Sequence, residues 1–70
     1  MRSTDFHAGQ RVRLTALGRA NGIVQKRANG LGRVAFIDPD RPLIIRVLPD
    51  GYAHGHEYSV NYWEDAGEDA

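Results

Sequence analysis

Apolar and polar residues begin to alternate after Gly9. Val12, Leu14 and Ala16 fall on one side and Arg11, Arg13 and Thr15 on the other, the period of two that marks a half-buried strand. Residues 33–37 (Arg-Val-Ala-Phe-Ile) and 43–48 (Leu-Ile-Ile-Arg-Val-Leu) read as two more strands. The segment between them holds Pro39 and Pro42, so the pair is predicted to form a hairpin. Pro49-Asp50-Gly51 closes the second of these strands, and residues 57–62 alternate again with Tyr58, Val60 and Tyr62 on a shared side. Apolar positions at helical spacing are not sustained anywhere, which leaves no room for a substantial helix. The pattern predicts an all-β domain with a core of Val12, Leu14, Val34, Phe36, Ile45, Val47, Tyr58 and Val60, and with Leu17, Val24 and Trp63 as candidate caps. Ile44 and Leu48 take the face opposite Ile45 and Val47, a candidate contact for a protein partner or for a second copy in a homodimer.

The stretches between these strands set the boundaries. Residues 1–8 have no periodicity and are predicted to be a flexible arm, with Phe6 a candidate plug at one end of the barrel. From Gly18 to Gly32 the chain carries two Asn-Gly pairs, Asn21-Gly22 and Asn29-Gly30, which favour tight turns; residues 23–28 between them are long enough for a short strand or a helical turn. This segment is expected to be a long, glycine-rich first loop. Residues 9–63 then form the domain, and 64–70 a disordered acidic tail.

Seventy residues leave room for one small core, and closing its sheet into a five-stranded barrel would protect the strand edges. There is no cysteine, so no disulfide or thiolate site is available and a cytoplasmic location is expected. No signal-peptide run follows the start and no membrane-length apolar stretch occurs. The formal net charge is zero, yet it is unevenly laid out. Residues 1–33 hold seven of the nine Lys and Arg against Asp5 as their one acid, and residues 34–70 hold the other two cations against eight acids.

Gly9-Gln10-Arg11-Val12-Arg13-Leu14, followed by Gly18, Gly22 and Gly32-Arg33-Val34-Ala35-Phe36-Ile37, resembles the KOW-type SH3-like barrel of ribosomal proteins and transcription elongation factors. The likeness covers residues 9 to about 48. It departs where a stretch containing Lys26 and Arg27 separates Gly22 from Gly32. The overall layout, ending in Tyr-x-Val-x-Tyr-Trp-Glu, is also similar to small bacteriophage and prophage proteins. These resemblances imply an SH3-like barrel acting as an accessory factor that binds a host or phage macromolecule.

Two constellations could carry such binding. Arg11, Arg13, Arg19, Lys26, Arg27 and Arg33 lie in a run free of acids, and several cations within reach of one backbone are what phosphate recognition requires. Tyr52, His54 and His56 follow the Pro-Asp-Gly turn, where rings could stack on exposed bases or line a peptide groove. Neither a phosphate-cradling Gly-Lys-Ser/Thr motif nor a spaced nucleophile and base is present. His54-x-His56 supplies too few ligands for a closed metal site, so no enzyme activity, metal or cofactor is expected. The leading expectation is a non-enzymatic module contacting nucleic acid or a ribonucleoprotein through the basic loop. The alternative is a protein-interaction module, such as a host-factor inhibitor or assembly adaptor, using the 52–58 loop and the outer aliphatic face.

Overall fold

A computed structural model describes residues 2–67. Five antiparallel strands form one sheet: β1 (Arg11–Leu14), β2 (Leu31–Ile37), β3 (Ile44–Pro49), β4 (His56–Ser59) and β5 (Trp63–Asp65), in the order β4-β3-β2-β1-β5. β1 pairs with β2 on one side and with β5 on the other. The two edge strands, β4 and β5, follow one another in sequence, joined by a 3-10 turn at Val60–Tyr62. On a flat sheet those edges would lie about 19 Å apart, four strand spacings, whereas three residues of 3-10 helix rise only about 6 Å. The sheet must therefore roll so that its edges approach at this turn. The inner wall of the roll is the core: Phe6, Val12, Leu14, Val34, Ile45, Val47, Val60 and Trp63 are all buried.

β1 ends at Leu14 because Thr15 starts a helix. The Thr15 hydroxyl accepts from the Gly18 N–H at 3.1 Å, an N-cap, and donates to the Asn61 carbonyl at 2.7 Å. The helix, α1 (Ala16–Ala20), packs on the 3-10 turn. Gly18 permits this contact, since a Cβ there would sit 2.6 Å from the Tyr62 carbonyl oxygen.

Several expectations need correction. Strict alternation puts Phe36 in the core, yet it is 58% exposed. The register of β2 against β3 slips between Val34 and Phe36, so a bulge at Ala35 turns Phe36 outward and gives its inward place to Ile37, opposite Ile45. Leu17 caps nothing, because it lies on the solvent side of α1. Ala16 belongs to α1 rather than to β1, and the expected loop from 18 to 32 begins in that helix and ends inside β2. The last long strand breaks at Ser59, and Trp63 begins a new one as a fully buried core residue. Glu64 and Asp65 are thus strand residues rather than tail; the tail's end, 68–70, lies outside the described residues.

The arm is partly tied down as well. Residues Ser3–Asp5 form a 3-10 turn, the Ser3 N–H donates to the Pro42 carbonyl at 2.7 Å, and Phe6 is buried at the core's margin. Among the described residues no helix is long and apolar enough to cross a membrane.

Candidate functional site

The structure sorts the six candidate cations into separate environments. Arg11 points along the sheet surface to Asp50, in the turn after β3, and holds it with two parallel hydrogen bonds of 2.6 Å. Asn29 donates to the same carboxylate at 3.0 Å, and its own side-chain oxygen accepts from the Leu31 N–H. The Asp50 N–H in turn donates to the Leu31 carbonyl at 2.9 Å. One carboxylate thus ties β1, the end of the glycine-rich segment and the β3 turn together. Hydrogen bonding by Arg11, and then by Asn29, lowers the Asp50 carboxyl to about 2. The same carboxylate raises the Arg11 guanidinium above its ordinary value. With only 14% of its side chain exposed, Arg11 is part of the framework.

Arg13 and Arg33 are also engaged, though at the surface. Arg13 pairs with Glu64 across the β1–β5 register at 3.0 Å. Arg33 donates to the Gly9 carbonyl at 3.0 Å and lines a groove with His7, Gln10 and Asp65, apart from the cationic turn. Gln10 occupies the Asp65 carboxylate at 3.0 Å.

Arg19, Lys26 and Arg27 are different. Arg33 also lacks an ion pair, but among the described residues these three make neither an ion pair nor a side-chain hydrogen bond. Lys26 and Arg27 sit at the tip of a turn closed by the Ala28 N–H on the Gln25 carbonyl at 3.0 Å. This turn is a ridge with a groove on each flank. On the α1 side, a groove of about 240 Å³ has Leu14, Ile23 and Val24 in its wall and Arg19 and Lys26 among its lining residues. Arg19 lies across bare backbone there: its guanidinium is 3.2 Å from where a Cβ on Gly30 would be, and Gly30 has φ +77°. On the other flank Arg27 lines a second groove with Tyr52 and Asp50. Asp50 already carries Arg11 and Asn29, so it leaves the Arg27 charge uncancelled.

Tyr52 joins the two constellations. Its hydroxyl accepts from the Gln25 N–H at 2.8 Å, which pins the aromatic segment against the cationic turn. From Tyr52 a run of edge-to-face rings leads inward: His56 at 5.8 Å, Tyr58 at a further 6.3 Å, then Trp63 at 5.5 Å. Burial, and then the neighbouring Tyr52, raise the Tyr58 phenol above its ordinary value. His54 is exposed on the loop and outside this run, and among the described residues no three acidic or histidine side chains gather to hold a metal. No family model, curated protein or solved structure matches the chain. Its site is therefore defined by its own geometry: three unpaired cations around one turn, with a Tyr and a His beside them.

The sequence drew attention to the turn through its flanking Asn-Gly pairs. It gave no sign of the Tyr52–Gln25 contact or of the apolar wall that Ile23 and Val24 add to the groove, because each depends on segments distant along the chain meeting in space.

Proposed function

We propose that this chain is a non-enzymatic binding module of the SH3-like barrel kind, of a type used by phages and prophages, which contacts nucleic acid or a ribonucleoprotein. The rolled sheet, with its edge strands joined by three residues, supports the barrel reading. The observation that carries the binding reading is the hydrogen bond from Gln25 to Tyr52, since it sets the turn bearing Lys26 and Arg27 beside the half-buried Tyr52 ring. Phosphates would meet Arg19, Lys26 and Arg27, displacing condensed counterions, while Tyr52 and His56 offer rings to unpaired bases. Arg11 and Arg13 serve this surface indirectly, by holding the sheet that presents the turn.

The test is a fluorescence anisotropy titration of a labelled oligonucleotide at several salt concentrations. The wild type should lose affinity steeply as salt rises. The double substitution Lys26→Ala/Arg27→Ala should weaken binding and flatten the log–log salt slope by about 1.4–1.8, the value of two lost phosphate contacts. Equal affinity of the two proteins at low salt would overturn the reading.

A further inference from the structure

The two flanks of the cationic turn differ in chemistry. On the Tyr52 side the lining includes the Asp50 carboxylate. On the α1 side the groove of about 240 Å³ has no acid among its lining residues; Arg19 and Lys26 carry its charge, and Leu14, Ile23 and Val24 make its wall apolar. Ile23 and Val24 pack in part against the core, so that wall is a fixed surface. Arg19 is steadied as well, lying over the bare backbone of Gly30. A ligand suited to this flank has to be anionic and apolar at once.

We infer that the α1-side groove receives one unpaired base of a single-stranded nucleic acid, with Arg19 and Lys26 on the phosphates that flank it. The inference rests on the reading of the turn as a nucleic-acid contact and adds the form of the strand it takes. Charge complementarity selects the occupant. A nucleotide joins a strong anion to a planar ring with an apolar face, the combination that the cations and the wall together call for. In a duplex the faces of the bases are closed in the stack, and extruding one carries an unstacking cost. A duplex can therefore lay phosphates on Lys26 and Arg27 while leaving the groove empty. An extended peptide is a poorer match, because it gains affinity from free backbone groups. On this flank the Gly30 carbonyl already accepts from the Leu14 N–H at 2.8 Å, the Ala28 N–H donates to the Gln25 carbonyl, and the Gln25 N–H donates to Tyr52.

Anisotropy titrations of the full chain with two labelled strands of about 12 nucleotides test this: oligo(dT), and the same backbone with its bases removed to leave abasic sites. Both strands carry the same phosphates, so their affinities should fall with salt along parallel lines. The intact strand should bind about fivefold to tenfold more tightly throughout, the low end of what one base contributes, because the wall is aliphatic rather than aromatic. Repeating the pair as RNA identifies the sugar. Val24→Thr, which puts a hydroxyl into the wall, should narrow the ratio about twofold. Leu43→Ser, at an exposed leucine in the turn between β2 and β3, should leave the ratio unchanged. Equal affinity for intact and abasic strands, with Lys26→Ala/Arg27→Ala still weakening both, would overturn the inference and leave the phosphate reading standing. Absence of salt-dependent binding to either strand would overturn both. Equal affinity together with displacement by a peptide of alternating Glu and Leu would assign the groove to a protein partner instead.

Discussion

Arg11 and Arg27 belong to the same acid-free run of cations, yet they do opposite things. Arg11 is mostly buried on Asp50, whose carboxylate is also bonded by Asn29, and the three residues fix the sheet to its loops. Arg27 lines the groove that Asp50 and Tyr52 also line, and among the described residues it makes no ion pair. What separates them is geometric. A carboxylate held by a bidentate guanidinium already has its charge matched, so the next cation along the surface stays available to something outside the molecule. The contrast teaches that a basic stretch is not one surface: part of its charge is spent in shaping the scaffold, and only the remainder is offered outward.

The contrast can be broken at its strongest point first. Arg11→Ala leaves the Asp50 carboxylate partly buried without its main partner and should cost about 2 kcal/mol of stability, less than a fully buried pair because a third of Asp50 is exposed. Urea denaturation measures this, and oligonucleotide affinity well below the melting temperature should barely change. A loss of binding with no loss of stability would reverse the roles assigned to Arg11 and Arg27.

Acid is the next lever. The Asp50 carboxyl titrates lower in the folded chain than in the unfolded one, so its contribution is complete above about pH 4 and disappears as the pH falls towards 2. Allowing for solvent screening, about 1 kcal/mol should be lost over that window. Asp50→Asn should flatten this part of the stability–pH curve. Arg13→Ala, which removes an exposed pair with Glu64, should cost at most about 0.5 kcal/mol, and moderate salt should hide the difference. Smallest of all is the stability effect of Lys26→Ala/Arg27→Ala, expected within about 0.5 kcal/mol of wild type, because neither side chain is paired. A thermal melt shifted by more would mean that the turn is bound into the framework.

Much of the framework was legible along the chain. Alternation finds β1, β2, β3 and most of β4, the proline-containing turn between β2 and β3, and six of the eight buried apolar residues, or seven if Trp63 is included as a cap. The failures share a cause. Phe36 departs from the pattern because a bulge shifts the period by one residue without leaving a mark in hydrophobicity. The pattern leaves Glu64 and Asp65 in the tail because a three-residue strand, Trp-Glu-Asp, is too short to show a period and owes its existence to β1 beside it. The candidate site divides in the same way. The turn bearing Lys26 and Arg27 could be located from its flanking Asn-Gly pairs, but the charges that matter could not, since Arg11 and Arg13 meet Asp50 and Glu64 across 39 and 51 residues of chain.

The pairing of β5 with β1 has a consequence for how the molecule comes into being. During synthesis β1 emerges early, but its second neighbour and the largest buried side chain, Trp63, arrive only after β4 has been made. Until then the nascent polypeptide can join β1 to β4 as a sheet with one bare border and a hollow centre, and contacts this distant are slow to close. A purified chain truncated before Trp63 should be cut readily by proteases, whereas one that includes β5 should resist them.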